Sequence, residues 1–277
     1  MKKSEQTRAL AAAVDAARAV GTVLRRNLRS VKRVNSATQR DIKLELDVRC
    51  QQLIERKLGA AFPQIPLLGE EGDSGDTSAA YRWVVDPIDG TVNFAHGIPH
   101  ACVSIALQRR DEGRATKVGR LQRNHGPRPP AYATILGVVY DPFQDELWTA
   151  TRGGPARLNG RIIRVSRRRE LKECLVSLGF SKNRRSIERG LPHFAWLIRR
   201  VRKMRMMGAA ALGLTYVATG RLDAFIEGGV SLWDVAAAGL IIECAGGKFW
   251  SEPLPGKCKL RIIASNGLIH GKLPMPR

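Results

Sequence analysis

The sequence predicts a mixed α/β (α+β) fold, and three observations carry that prediction. Leu10, Val14, Ala17, Gly21 and Leu24 recur at helical spacing between about Ser4 and Leu28. Apolar runs of strand type, Trp83 to Val85, Ala101 to Leu107 and Ile135 to Tyr140, are broken by glycine, proline and polar turns. The chain has 277 residues and 44% hydrophobic content, enough for one large domain or two smaller ones with substantial cores.

Taken in order, the first helix is followed by a polar, basic loop at 30–43. A second helix then runs from Val48 to Phe62, with Glu45 and Asp47 in its N-terminal turn, where the helix dipole favours acids. Leu67 to Gly72 is an apolar step ending in Glu70 and Glu71 between glycines, and 73–80 reads as a surface loop. Trp83 to Val85 forms a buried strand that Pro87 ends by removing a donor, and Gly90 permits a tight backbone before Thr91 opens a short turn or helix. Ala101 to Leu107 pairs antiparallel with Ile135 to Tyr140, and Asp145 to Ala150 adds another strand.

The turn Arg152 to Pro155 divides the chain into an N-terminal half, 1–150, and a C-terminal half, 151–277. In the second half, Cys174 to Phe180 is a buried strand, and His193 to Arg205 is a strongly basic helix. Ala209 to Thr219 is a helix ended by Gly220, and the small residues Gly208 to Ala210 let its start approach a ligand. Asp223 to Glu227 forms a strand. Asp234 reads as the N-cap of an apolar helix from Val235 to Ala245, and Leu260 to Ala264 is the last strand.

The chemistry centres on Asp86 and Asp89. Two carboxylates on either side of one tight turn point into one small volume, where both stay ionised only with a cation between them. Oxygen-only ligands favour a hard metal such as Mg²⁺, and the N–H groups around Gly90 and Thr91 suit a phosphate.

The run D-P-I-D-G-T-x-N-F at 86–94 resembles the signature of the inositol monophosphatase family, Mg²⁺-dependent, lithium-sensitive sugar phosphatases related to fructose-1,6-bisphosphatase. A second signature of that family, Ser231 to Gly239 followed by Ala245-Gly246-Gly247, stands at the right distance. The resemblance covers nearly the whole chain and implies a layered sandwich of alternating helix and sheet layers, with the site between the halves and a homodimeric assembly. It implies metal ligation by Glu70, Asp86, the Ile88 carbonyl, Asp89 and Asp234, holding two or three Mg²⁺ ions. It also implies orientation of the attacking water by Asp47 and Thr91, with Glu70 part of the catalytic set. The implied substrate contacts are Gly208, Ala209, Ala210 and Glu227, besides Glu70, Ile88, Asp89, Gly90, Thr91 and Asp234 at the metal centre. The reaction implied is hydrolysis of a small polyol or sugar phosphate, inositol 1-phosphate first, with fructose 1,6-bisphosphate, histidinol phosphate or a phosphoadenosine nucleotide as alternatives.

The chain departs from the family by an insertion near 114–133, which holds Arg114, Lys117, Arg120, Arg123 and Arg128 and no acid. It reads as a mobile basic loop and a candidate polyanion-binding arm. Together with 46 Lys and Arg against 25 Asp and Glu, a formal charge of +21, it motivates a role as an RNA or transcription-complex accessory protein. Five cysteines at wide spacings, without C-x-x-C, read as reduced and mostly buried thiols. Asp15 and Arg18 interrupt any signal-peptide core, no apolar run approaches a membrane span, and a cytoplasmic protein is expected.

Overall fold

A computed structural model describes residues 1–38, 41–111, 132–180 and 184–274. In chain order the elements are α1 Lys3–Asn27, β1 Val34–Thr38, β2 Asp41–Leu44, α2 Glu45–Ala61, β3 Leu67–Gly69, β4 Gly72–Ser74, β5 Tyr81–Asp89, α3 Thr91–Ala95, β6 Cys102–Arg110, β7 Tyr132–Asp141 and β8 Glu146–Thr151. They continue as β9 Arg157–Leu158, β10 Arg161–Ile162, β11 Leu175–Gly179, α4 Arg184–Ile198, β12 Lys203–Arg205, α5 Ala210–Ala218, β13 Ala224–Ser231, α6 Leu232–Cys244, β14 Lys248–Pro253 and β15 Lys259–Ser265.

Two large sheets organise the molecule. The first has the order β10-β9-β8-β7-β6-β5-β3-β4 and the second β12-β11-β13-β15-β14. Strand side chains alternate between faces, so each sheet has two apolar faces to cover. Trp83, Val85, Ile105, Leu107 and Val138 bury one face of the first sheet against α1 and α2. Val84, Ala106 and Val139 bury the other against α5 and α6, which also cover Phe225, Ile262 and Ala264 of the second sheet. Ile226 and Ile263 point the opposite way, into a third cluster with Leu197 of α4. The order is therefore helix, sheet, helix, sheet, helix, the layered sandwich expected from the sequence.

Local readings needed correction where tertiary pairing outranks composition. Residues 30–43 are not simply a loop, because β1 and β2 pair antiparallel there. Ser74 pairs with Leu67, so the 73–80 segment begins as strand β4. Pro87 does not end its strand: β5 crosses an irregularity and pairs Asp89 with Cys102. The basic helix expected at 193–205 stops at Ile198, and Lys203–Arg205 instead forms an edge strand parallel to β11. The helix start expected at Val235 lies at Leu232, which makes Ser231 the N-cap and moves Asp234 to the third helical position. The basic insertion at 114–133 lies outside the described residues except for Tyr132 and Ala133, with which β7 begins. All five cysteines are free thiols. Among the described residues no helix is long and apolar enough to cross a membrane.

Candidate active site

The central strand β5 delivers the motif to the seam between the first sheet and α5, α6 and β13. Asp86 leaves the strand buried, 2% exposed, and its Oδ1 accepts the Ile88 N–H at 2.9 Å. The turn closes through Gly90, whose φ of +91° lies in the left-handed region and where a Cβ would stand 2.8 Å from the His100 carbonyl oxygen. Glycine is the residue that fits both demands. The Thr91 hydroxyl donates to the Ile88 carbonyl at 2.8 Å.

Asp89 reaches across to the second half of the chain. Its Oδ1 accepts the Ala210 N–H at 3.1 Å and its Oδ2 the Ala211 N–H at 2.7 Å, so the carboxylate caps α5 from 121 residues away. The Cys102 thiol lies 3.6 Å from Oδ2. Asn93, quoted in the motif without a role, ties the same two regions together: its Nδ2 donates to the carbonyls of His100 and Met207. Asp234 sits on the first turn of α6, where its Oδ2 accepts the Ser231 N–H at 2.9 Å in a capping box.

These acids feel one another. Burial, reinforced by Glu70, Asp234 and Asp89, pushes Asp86 well above the usual carboxylate range. Burial raises Asp89 to about 6 against the opposing hydrogen bonds of Ala211 and Ala210. Burial and then Asp89 raise Asp234 to about 7, and Asp86 and Asp234 are hydrogen-bonded to each other. Among the described residues, no three His, Cys, Asp or Glu side chains stand as a ready metal cage. The donor set is nonetheless all oxygen, and the close approach of the Asp86 and Asp234 carboxyls marks a place where a hard cation would fit.

Glu70, Asp86, Ile88, Asp89, Gly90, Thr91, Gly208, Ala209, Ala210, Glu227 and Asp234 line one cavity of 420 Å³, which also takes in Asn93, Ser231 and Lys259. Eleven of the twelve residues singled out from sequence thus share a wall only because β5, α5, β13 and α6 converge. Asp47 does not line it. Its Oδ2 accepts the Leu44 N–H at 2.7 Å, while Oδ1 is buried without a hydrogen-bond partner. Glu71 turns away to pair with Lys43 at 2.8 Å, and its N–H is held by Gln51 Oε1 at 2.9 Å, consistent with a supporting role. Asn93 and Ser231 stand inside the two signatures without a charge that marks a role at the cavity, and Lys259 stands in neither.

Burial raises Asp47 to about 7, with Glu71 and Glu70 adding to the rise. A carboxyl whose pKa is higher folded than unfolded destabilises the fold progressively as pH rises from about 4 to 7, and fully above that. Asp47→Asn is therefore expected to stabilise the chain by about 1–2 kcal/mol at pH 8 in the presence of a chelator, the gain fading towards pH 4. Urea unfolding at several pH values checks this, and a pH-independent difference would contradict it.

The chain matches the inositol monophosphatase family over residues 5–119 and 132–268. It belongs to that family. The unmatched residues 120–131 fall within the insertion. Nus factor SuhB of Pseudomonas aeruginosa is 39% identical over 243 residues, covering 85% of this chain and 82% of that protein. Inositol-1-monophosphatase of Rhizobium meliloti is 39% identical over 215 residues, covering 76% and 72%. Among solved structures, extragenic suppressor protein SuhB from Bartonella henselae is similar with a TM-score of 0.79 and 34% identity, covering 94% of this chain and 95% of that one. As a member of the inositol monophosphatase family, the chain is a phosphoric monoester hydrolase.

Proposed function

We propose that this phosphatase hydrolyses a small polyol or sugar phosphate, inositol 1-phosphate first, with Mg²⁺ as cofactor. The observation that carries the reading is the convergence of Glu70, Asp86, Asp89, Asp234, Glu227 and the Gly208 to Ala210 turn on one cavity of 420 Å³. A cavity of that size holds a compact phosphate ester. Glu70, Asp86, the Ile88 carbonyl, Asp89 and Asp234 would hold two or three Mg²⁺ ions. When bound, Mg²⁺ supplies Lewis-acid neutralisation of the phosphate and of the developing leaving-group charge.

The chain's own residues supply placement. The amides near Gly90 and Thr91 are proposed to hold phosphate oxygens, and the α5 amides are drawn into position by their bonds to Asp89. Thr91 is proposed to orient the attacking water, with Asp47, which stands outside the cavity wall, acting through Thr91 rather than on the water itself. Glu227 accepts hydroxyl donors of the polyol, and the Gly208 to Ala210 backbone approaches its carbon frame. The metal motifs of 1–150 and the substrate turn of 151–277 then form the two walls of one site, in a cytoplasmic homodimer.

Phosphate release from inositol 1-phosphate, fructose 1,6-bisphosphate, histidinol phosphate and a phosphoadenosine nucleotide tests the proposal, with Mg²⁺ and with Mg²⁺ plus Li⁺. Turnover of one that Li⁺ suppresses is the expected result. Failure of every substrate despite Mg²⁺ binding would overturn it.

A second role on RNA or in transcription complexes is favoured by the +21 charge and by similarity to a relative named Nus factor SuhB. RNA binding that weakens steeply between low and moderate salt and is lost on deleting 114–133 is expected for it. Absent or salt-insensitive binding would remove it.

A further inference from the structure

We propose that Lys259 is a specificity-determining residue of this cavity that holds a second anionic group on the substrate, so that phosphate esters bearing a further phosphate or carboxylate are preferred. This rests on the phosphatase reading and changes its order of substrates, setting fructose 1,6-bisphosphate ahead of inositol 1-phosphate. The charged residues lining the cavity are Glu70, Asp86, Asp89, Glu227, Asp234 and Lys259. Among the described residues of that wall Lys259 is the one cation.

Its placement is built rather than incidental. The hairpin between β14 and β15 carries it, and the Leu254 N–H donates to the Lys259 carbonyl at 2.8 Å across that turn. Cys258 before it has a φ of +58°, uncommon for a residue with a side chain. The Cys258 carbonyl accepts the Leu232 N–H at 2.8 Å, which fixes the strand start to the first residue of α6. On the other side Lys257 pairs with Asp73 of β4 at 2.9 Å, tying the hairpin tip to the first sheet. The register of β13 and β15 sets Lys259 opposite Ser231, and its Nζ donates to Ser231 Oγ at 2.7 Å.

An ammonium has three donors, and Ser231 takes one. Glu227 lies on the other side of β13: a Cβ on Gly179 of β11 would stand 2.1 Å from Glu227 Oε2, so that carboxylate leans over β11, away from β15. The cavity floor is thereby divided, with a hydroxyl-accepting carboxylate at one side of β13 and an ammonium at the other. A polyol monophosphate whose phosphate sits at the acidic cluster offers the ammonium only hydroxyl acceptors, a weaker partner than a second anion. A bisphosphate or phosphorylated acid does, and a hydrogen bond to a charged partner of this kind corresponds to about ten- to hundredfold in affinity.

The test compares kcat/KM for fructose 1,6-bisphosphate and inositol 1-phosphate in the full chain and in Lys259→Met and Lys259→Arg at saturating Mg²⁺. The ratio favouring the bisphosphate is expected to fall about ten- to hundredfold in Lys259→Met, through KM for the bisphosphate, and to stay within about threefold in Lys259→Arg. An unchanged ratio in Lys259→Met, with both substrates slowed alike, would overturn the proposal and leave Lys259 as support for Ser231 and Asp234. If the wild-type chain hydrolyses neither compound, calorimetric binding of fructose 1,6-bisphosphate decides. Binding weakened tenfold or more by Lys259→Met keeps the anion site while the phosphatase reading falls, and equal or absent binding overturns the anion site as well.

Discussion

Asp89→Asn is expected to lower kcat/KM for any substrate of this site by about 10³-fold or more, while the chain stays folded. The carboxylate is buried to 7% exposure among Asp86, Glu70 and Asp234, where its charge is the feature that would attract a cation. Asparagine keeps the shape and one acceptor but removes that charge. It also turns an NH₂ group towards the amide of Ala210 or Ala211, so one of the two caps on α5 is lost. That loss should cost about 1–2 kcal/mol of stability, well short of unfolding a chain with three apolar clusters. Phosphate release at saturating Mg²⁺ with urea unfolding alongside separates the two effects. Activity within tenfold of the parent would remove Asp89 from the centre of the site.

Gly137→Ala is expected to destabilise the fold by about 2–4 kcal/mol, lowering Tm by roughly 5–10 °C. Gly137 lies in the middle of β7, paired with Ala106 and Ala150. A Cβ there would stand 2.6 Å from the Ala237 carbonyl oxygen and 3.0 Å from its Cα, backbone atoms of α6 that have no flexible end to move. The methyl group must therefore push the helix off the sheet. Because the first turn of α6 also carries Asp234, the same displacement should reduce activity in the surviving folded fraction. A Tm within 2 °C of the parent, read by thermal denaturation, would show that α6 does not lie as closely on β7 as these distances state.

The sequence by itself determined the family, the layered class of fold and the acidic centre. Each rests on residues close together in the chain: Asp86 and Asp89 share one turn, and the apolar periods of α1, α2 and α5 run within a single helix. Such signals survive without knowledge of neighbours because the geometry of a turn or helix face is local. Tertiary structure decided everything that depends on a partner far along the chain. Lys203–Arg205 looks like more of a basic helix until β11 offers it a parallel ladder. Asp47 reads as an acid favoured by a helix dipole, and only burial beside Glu70 and Glu71 raises it to about 7. Asp89 caps a helix that begins 121 residues later. Lys259 belongs to no motif, and it enters the cavity because the register of β13 and β15 sets it against Ser231. Local periodicity carries no record of such pairings, since their free energy comes from surfaces that meet only after the sheets have formed.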